Sequence, residues 1–318
     1  MTYLTGIKHR SLSLLIIVAS CASFSTQRNL VGGFSKTLGS HCHQTTTSSR
    51  LMASRLISSF EAQDFAGETG EWPYSAADMG RIDSSDDGNF YDAPRFVTHI
   101  DDRAIESLTK YYREEMSELY KLNNGRKLDV LDLCSSWISH YPTDMEDKLG
   151  IVAGIGMNEE ELIANKQLYV HYAQDLNKNP SLAQFEDNSF DIITNVVSVD
   201  YLTKPLEIFK EMHRVLRPGG RALMSFSNRC FPSKAVAMWL QADDIGRLSI
   251  VGSYFHYSAK WKQIDALDVK LPQVDTPTRP SVGDIFKDPT KAFAWASAAG
   301  AVAQMNSGDP LFVVKGVK

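Results

Sequence analysis

The apolar positions of this chain change period several times, and each change predicts an element. Ile105, Leu108, Tyr112, Met116 and Leu119 recur every three or four residues, one face of a helix that Asp101 or Asp102 would cap. Short continuous apolar runs follow: KLDVLDLC (127–134), GIVAGIG (150–156), LYVHYA (168–173), FDIITNVV (190–197) and RALMSFS (221–227). Runs of this length without alternation predict strands covered on both faces. Between them, NEEELIANK opens on Asn158 with Glu161 three residues on, a capping-box spacing. LEIFKEMHRVL (206–216) repeats Leu206, Phe209, Met212 and Leu216 at helical intervals and stops at Arg217-Pro218-Gly219-Gly220. Residues 233–246 read as a helix capped by Ser233, and KQIDALDVKL (262–271) and PLFVVKGV (310–317) supply the last strands. Strands alternating with helices predict an α/β fold with a mostly parallel sheet of seven strands, helices on both faces, and a ligand crevice at the strands' carboxyl ends.

Two internal stretches break the pattern. Residues 67–100 are polar and aromatic-rich without a helical or strand period, and read as an ordered extension or arm. Residues 275–309 read as an insertion, whose Ala-rich KAFAWASAAGAVAQM predicts a helix. With 318 residues, 43% apolar and 22% charged, the chain has ample material for a core. No apolar run reaches the roughly 18 residues that span a bilayer.

Charge divides the chain unevenly. Residues 1–60 carry Lys8, Arg10, Arg28, Lys36, Arg50 and Arg55 and no acid, which leaves a net charge of −11 on the remainder. An acidic body argues against nucleic acid as the main partner. Within the basic segment, Lys8-His9-Arg10 precedes the apolar LSLLIIVA and the small residues Ser20 to Ser23, a secretory-signal arrangement over 1–23. Residues 24–60 hold 13 Ser/Thr, a transit-peptide composition. With Phe24 at the junction CASF, the pair resembles the bipartite plastid presequence of algae with secondary plastids. The expectation is a plastid protein, with the secretory pathway as alternative. Residues 61–126 would then be an extension and helix that close over a site in a domain spanning 127–318.

From Asp129 onward the order of elements resembles a class I S-adenosylmethionine-dependent methyltransferase. FEDNSFDIITNVVSVDYL (185–202) followed by EIFKEMHRVLRPGG (207–220) is similar to the fourth strand, helix and turn of the type 11 methyltransferases, and VLDL (130–133) to the first strand. DLCSSW, GMNEEEL and NVVSVDYLTKP also resemble a group of plant and algal predicted plastid proteins. The resemblance implies S-adenosylmethionine as cofactor, a small, partly apolar or aromatic acceptor, and a set of cofactor contacts. Asp132 would meet the methionine ammonium. Asp175, or Tyr172 under another alignment, would meet the adenine amino group, with Leu176 and Met157 against the ring. Asn195 would line the cofactor from the fourth strand.

This sequence departs from the family at two places. Cys134, Ser136 and Ile138 stand where a GxGxG loop is usual, and β-branched Ile138 resists a left-handed backbone, so the loop must take another path. Gly156 stands where an acid usually binds the ribose, leaving Asn158 or Glu159 to reach back. A catalytically silent domain of this fold is the alternative function. A nicotinamide site at Gly154 and Gly156 ranks last, because Glu159 occupies the third glycine position. If the acceptor must lose a proton, Asp200 is the candidate base, with Tyr201 beside it; Tyr91, Arg95 and His99 would fold over the substrate. Cys134 and Cys230 read as structural thiols, and His140, His171, His213 and His256 lack metal-ligand spacing, so no metal is expected.

Overall fold

The computed structural model describes residues 55–65, 71–271 and 277–318. The signal-like segment and the transit-like segment as far as residue 54 lie outside them. The chain opens with strand β1 (Arg55–Ser59), the short helices α1 (Ala62–Phe65) and α2 (Asp87–Phe90), and the long helix α3 (Asp102–Leu122). Then come β2 (Leu128–Leu133), β3 (Leu149–Gly156), α4 (Glu159–Ala164), β4 (Val170–Ala173), β5 (Phe190–Val196), α5 (Pro205–Val215) and β6 (Leu216–Phe226). The remainder is α6 (Ala237–Gln241), α7 (Asp244–Ser258), β7 (Gln263–Asp268), α8 (Val282–Lys287), α9 (Thr290–Asn306) and β8 (Phe312–Val317).

The eight strands form one sheet in the order β1-β7-β8-β6-β5-β2-β3-β4. The run from β4 through β3, β2 and β5 to β6 is parallel, while β8, β7 and β1 add antiparallel pairings. Alternation along the central strands sends Leu131 and Ile193 to the face covered by Phe209 of α5 and Tyr254 and Phe255 of α7. Val130 and Ile192 point to the other face, under Leu108, Tyr112 and Met116 of α3. Asp101 caps α3, its Oδ1 accepting from the Ala104 N–H at 2.9 Å.

Three expectations are corrected. The sheet has eight strands, because Arg55–Ser59, inside the segment read as transit peptide, pairs antiparallel with β7. The helix expected over 233–246 is two helices, α6 and α7, and Asp243 rather than Ser233 caps the longer, accepting from the Gly246 N–H at 2.8 Å. The Pro-Gly-Gly stop lies within β6, which starts at Leu216. Gly219 has φ +81°, and a Cβ on Gly220 would lie 2.8 Å from the Arg217 carbonyl, so this kink in the strand requires glycine.

Candidate functional site

The carboxyl ends of the parallel strands open into a cleft of about 570 Å³, where the sheet topology predicts it. Its walls are the loop after β2, the end of β3 with Glu161 of α4, residues 174–177 after β4, the end of β5 with residues 197, 198, 201 and 202, and residues 228–232 after β6. Residues between Arg81 and Ile100 complete it from the amino-terminal side.

Backbone strain concentrates here. Among the described residues, the left-handed backbones other than Gly and Asn are Cys134 (φ 56°), His140 (φ 59°) and Val197 (φ 41°), and all three line the cleft. A β-branched residue at such a φ is a genuine outlier, of a kind that clusters at functional sites. The conflict expected at Ile138 does not arise, because the loop turns at its two ends, Cys134 and His140. Between them hydroxyls fasten it down. Ser135 Oγ and Ser139 Oγ donate to Asp132 Oδ2 at 2.7 and 2.6 Å, and Asn165 Nδ2 donates to Ser139 Oγ and to the Ser136 carbonyl, both at 2.9 Å. Thr194 Oγ1 donates to Asp132 Oδ1 at 3.1 Å. Burial pushes the Asp132 carboxyl up to about 6 against these hydroxyl donors. Gly156 permits the close packing of loop on strand: a Cβ there would sit 2.1 Å from the Ser135 carbonyl oxygen.

Of the two residues expected beside β3, Asn158 lines the cleft and Glu159 does not, and the acid there is Glu161. Glu159 turns to His171, with Oε1 3.1 Å from Nε2, and does not line the cleft. Glu161 does line it; Oε1 accepts from the Arg95 N–H at 2.6 Å and Oε2 from Ser136 Oγ at 2.5 Å. Asn158 caps α4 through Oδ1 and donates through Nδ2 to the carbonyls of Tyr91 and Asp92, both at 3.0 Å. After β4, Asp175 lines the cleft beside Leu176, its Oδ1 accepting from the Asn177 N–H at 2.9 Å, whereas Tyr172 lies off the lining against Phe185.

Tyr91, Arg95 and His99 are brought to the cleft by a segment that ion pairs hold in place. Asp87, buried, takes both Arg81 Nη1 contacts at 2.8 and 2.9 Å, Asn177 Nδ2 at 3.0 Å and Lys234 Nζ at 3.2 Å. Lys234, fully buried, also meets Asp83 at 2.9 Å. Tyr201 faces the same space, its hydroxyl accepting from the Phe231 N–H at 2.8 Å.

The cleft thus gathers Tyr91, Arg95, His99, Asp132, Cys134, Ser136, Gly156, Met157, Asn158, Asp175, Leu176 and Tyr201. Besides Glu159 and Tyr172, three further expected residues fall outside its lining. A Cβ on Gly154 would strike the Leu168 side chain at 2.5 Å, so that glycine serves packing. Asn195 spends its Nδ2 on the Leu133 carbonyl at 3.2 Å, tying β5 to β2. Asp200, the expected base, is buried at 2% exposure, and burial pushes its carboxyl up to about 8. Buried and absent from the lining, Asp200 presents no carboxylate to the cleft. Sequence reasoning weighed His140 only as a metal ligand. It lines the cleft with a buried Nδ1 that has no partner, and burial first, then the neighbouring His99, pushes its imidazole down to about 4. No group that would hold a metal occurs among the described residues. Cys134 and Cys230 are free thiols on the lining, and burial pushes Cys134 up to about 12.

Residues 139–224, which include walls from β3 through β5, match the family model described as "Methyltransferase domain". Over 117 residues the chain is 27% identical to a demethylmenaquinone methyltransferase of Listeria welshimeri, covering 35% of this chain and 48% of that protein. A Bacillus cereus protein of the same name is 28% identical over 121 residues, covering 36% and 50%. The chain spans about half the length of the curated relatives it matches. Among solved structures, a SAM-dependent methyltransferase of Archaeoglobus fulgidus aligns over 65% of this chain and 94% of its own, at 11% identity and a TM-score of 0.38. The domain match makes S-adenosylmethionine the cofactor against which the cleft is read, and the lining fits it. A carboxylate stands at the end of β4, polar side chains follow β3, and a tethered loop closes on β2, in a volume within the 300–1,000 Å³ usual for such sites.

Proposed function

We propose that this chain transfers a methyl group from S-adenosylmethionine to a small, partly apolar or aromatic molecule in a plastid. The observation that carries the reading is coincidence: the stretch matching the methyltransferase model, 139–224, also supplies walls of the cleft at the parallel strand ends. In this reading Asp175, Leu176 and Met157 hold the adenine, Asn158 and Glu161 lie toward the ribose, and Asp132 with the Cys134–Ser136 backbone receives the methionine end. When bound, the cofactor supplies a methyl group on a sulfonium, open to in-line displacement. The chain's own part is positioning. Tyr91, Tyr201 and Phe231 line the cleft where an acceptor would lie, and a fixed acceptor geometry supplies much of the acceleration in such reactions. The plastid rests on the acid-free first sixty residues, their signal-then-transit order and Phe24.

Calorimetric titration of the full chain with S-adenosylmethionine, and separately with S-adenosylhomocysteine, tests the reading. The expected affinity is micromolar, about −8 kcal/mol. No heat and no thermal shift at millimolar ligand would leave a catalytically silent domain of this fold.

A further inference from the structure

We propose that the end of the cleft between residues 90–100 and 228–232 is the acceptor subsite, and that it takes a planar aromatic acid, a ring bearing a carboxylate with a second oxygen beside it. The inference rests on the methyl-transfer reading only in naming the ligand an acceptor.

The first support is the charge inventory of the lining. Four Lys and Arg side chains reach it: Arg81, Arg95, Arg229 and Lys234. Arg81 and Lys234 are matched by Asp87, and Arg229 by Asp309 at 2.6 Å. Among the described residues Arg95 is the lining cation with no carboxylate in ion-pair reach. Its Nη2 donates to the Phe90 carbonyl at 2.7 Å, and the nearby Glu161 is already engaged by the Arg95 backbone N–H and Ser136. A guanidinium presents five donors in a planar fork suited to a carboxylate. One carbonyl leaves most of that fork for a ligand.

The second support is what surrounds this cation. The guanidinium carbon lies 4.3 Å from the Phe90 ring centroid, 5.4 Å from Phe231 and 5.6 Å from Tyr91. Tyr201 is 6.1 Å from Phe231, and His99 packs edge-on to Phe231 at 5.7 Å. Flat apolar faces around one fixed cation favour a flat ligand with one anionic end. The third support is His140, with its buried, unpartnered Nδ1 on the same lining. Other buried polar atoms also go without a partner, Asn195 Oδ1 and Asp200 Oδ2 among them, but of these residues His140 alone lines the cleft, which makes its nitrogen the one a ligand oxygen would meet. Burial lowers both His99 and His140, which disfavours a second positive charge beside Arg95.

The test is calorimetry on the full chain saturated with S-adenosylhomocysteine, using 1-hydroxy-2-naphthoate and its neutral amide as probes. The acid is expected to bind at least about tenfold tighter than the amide. Arg95→Leu should erase that preference, and Arg95→Lys should keep only part of it, because an ammonium lacks the planar fork. His140→Asn, a residue that tolerates positive φ, should weaken both probes severalfold. Equal binding of acid and amide by the natural chain, or no binding of either, overturns the inference, and neither outcome needs a variant to fold. S-adenosylhomocysteine binding without acid binding leaves the methyl-transfer reading intact. Arg95-dependent acid binding without any cofactor binding removes that reading and keeps the anion site.

Discussion

Asp200 lies at the start of the turn after β5, and its Oδ2 has no hydrogen-bond partner in the structure. Desolvation pushes its carboxyl from the ordinary carboxylate range, near 4, up to about 8. A carboxyl whose folded pKa exceeds its unfolded value favours folding fully below about pH 4, and that contribution is lost as pH rises through about 8. Asp132 acts in the same direction over a narrower window, to about 6. Asp200→Asn keeps the shape and removes the titration. Its melting temperature should match the natural chain at pH 4 and exceed it by several degrees at pH 8.5, with about 1 kcal/mol moving Tm by 2–4 °C in a chain of this size. A difference between the two proteins that does not change with pH would mean that Asp200 is solvated or paired. Asp132, Cys134 and Asp175 were placed on the cleft by the family resemblance, which sets their offsets from the strand ends. Glu161 was legible only as a capping partner, and His140 not at all, because its placement depends on a left-handed turn that no local pattern announces.

At the scale of elements, the central strands and α3 were legible because each buries a continuous apolar face, which periodicity records. The segment 71–100 carries no such period, since contacts between residues distant in sequence hold it. Asp87 meets Lys234, Lys178 meets Asp86 at 2.6 Å, and Asn158 holds the carbonyls of Tyr91 and Asp92. Strand β1 was illegible for a related reason. All five of its residues are exposed, and its conformation comes from pairing with β7. Lys234 is the test of the segment. Lys234→Met leaves Asp83 and half of the compensation of Asp87 behind, with Arg81 still on Asp87. Breaking a buried pair costs about 3–5 kcal/mol, and the remaining Arg81 places this case near the lower end. Urea unfolding should show that loss, with faster proteolysis within residues 71–100. Unchanged stability and protection would shift the anchoring to the Asn158 and Glu161 contacts.

At the scale of the whole molecule, the antiparallel strands on one side of the sheet end in β1, which covers the β7 edge. An uncovered edge is a template for pairing with other chains. The residues that follow β1 extend the seal. The Phe60 N–H donates to the Ile264 carbonyl at 2.8 Å, and Phe60 and Phe65 pack where Gly252 of α7 leaves room, each ring lying 2.9 Å from where a Cβ would stand. The Tyr257 hydroxyl donates to the Phe65 carbonyl. Leu56 and Ile57 are exposed, so β1 contributes edge pairing more than core, while Phe60 contributes about 1–2 kcal/mol of partial burial. A chain cut to begin at Glu61 loses both. It is expected to melt several degrees lower than one beginning at Arg50, and to aggregate during refolding where the longer chain stays monodisperse by light scattering. The same contacts limit any processing in the proposed plastid. Amino-terminal sequencing of protein purified from that compartment should read a start after Phe24 and no later than Arg55. A mature start at Glu61 or beyond, with full stability, would show that β7 needs no cover and that β1 belongs to the presequence after all.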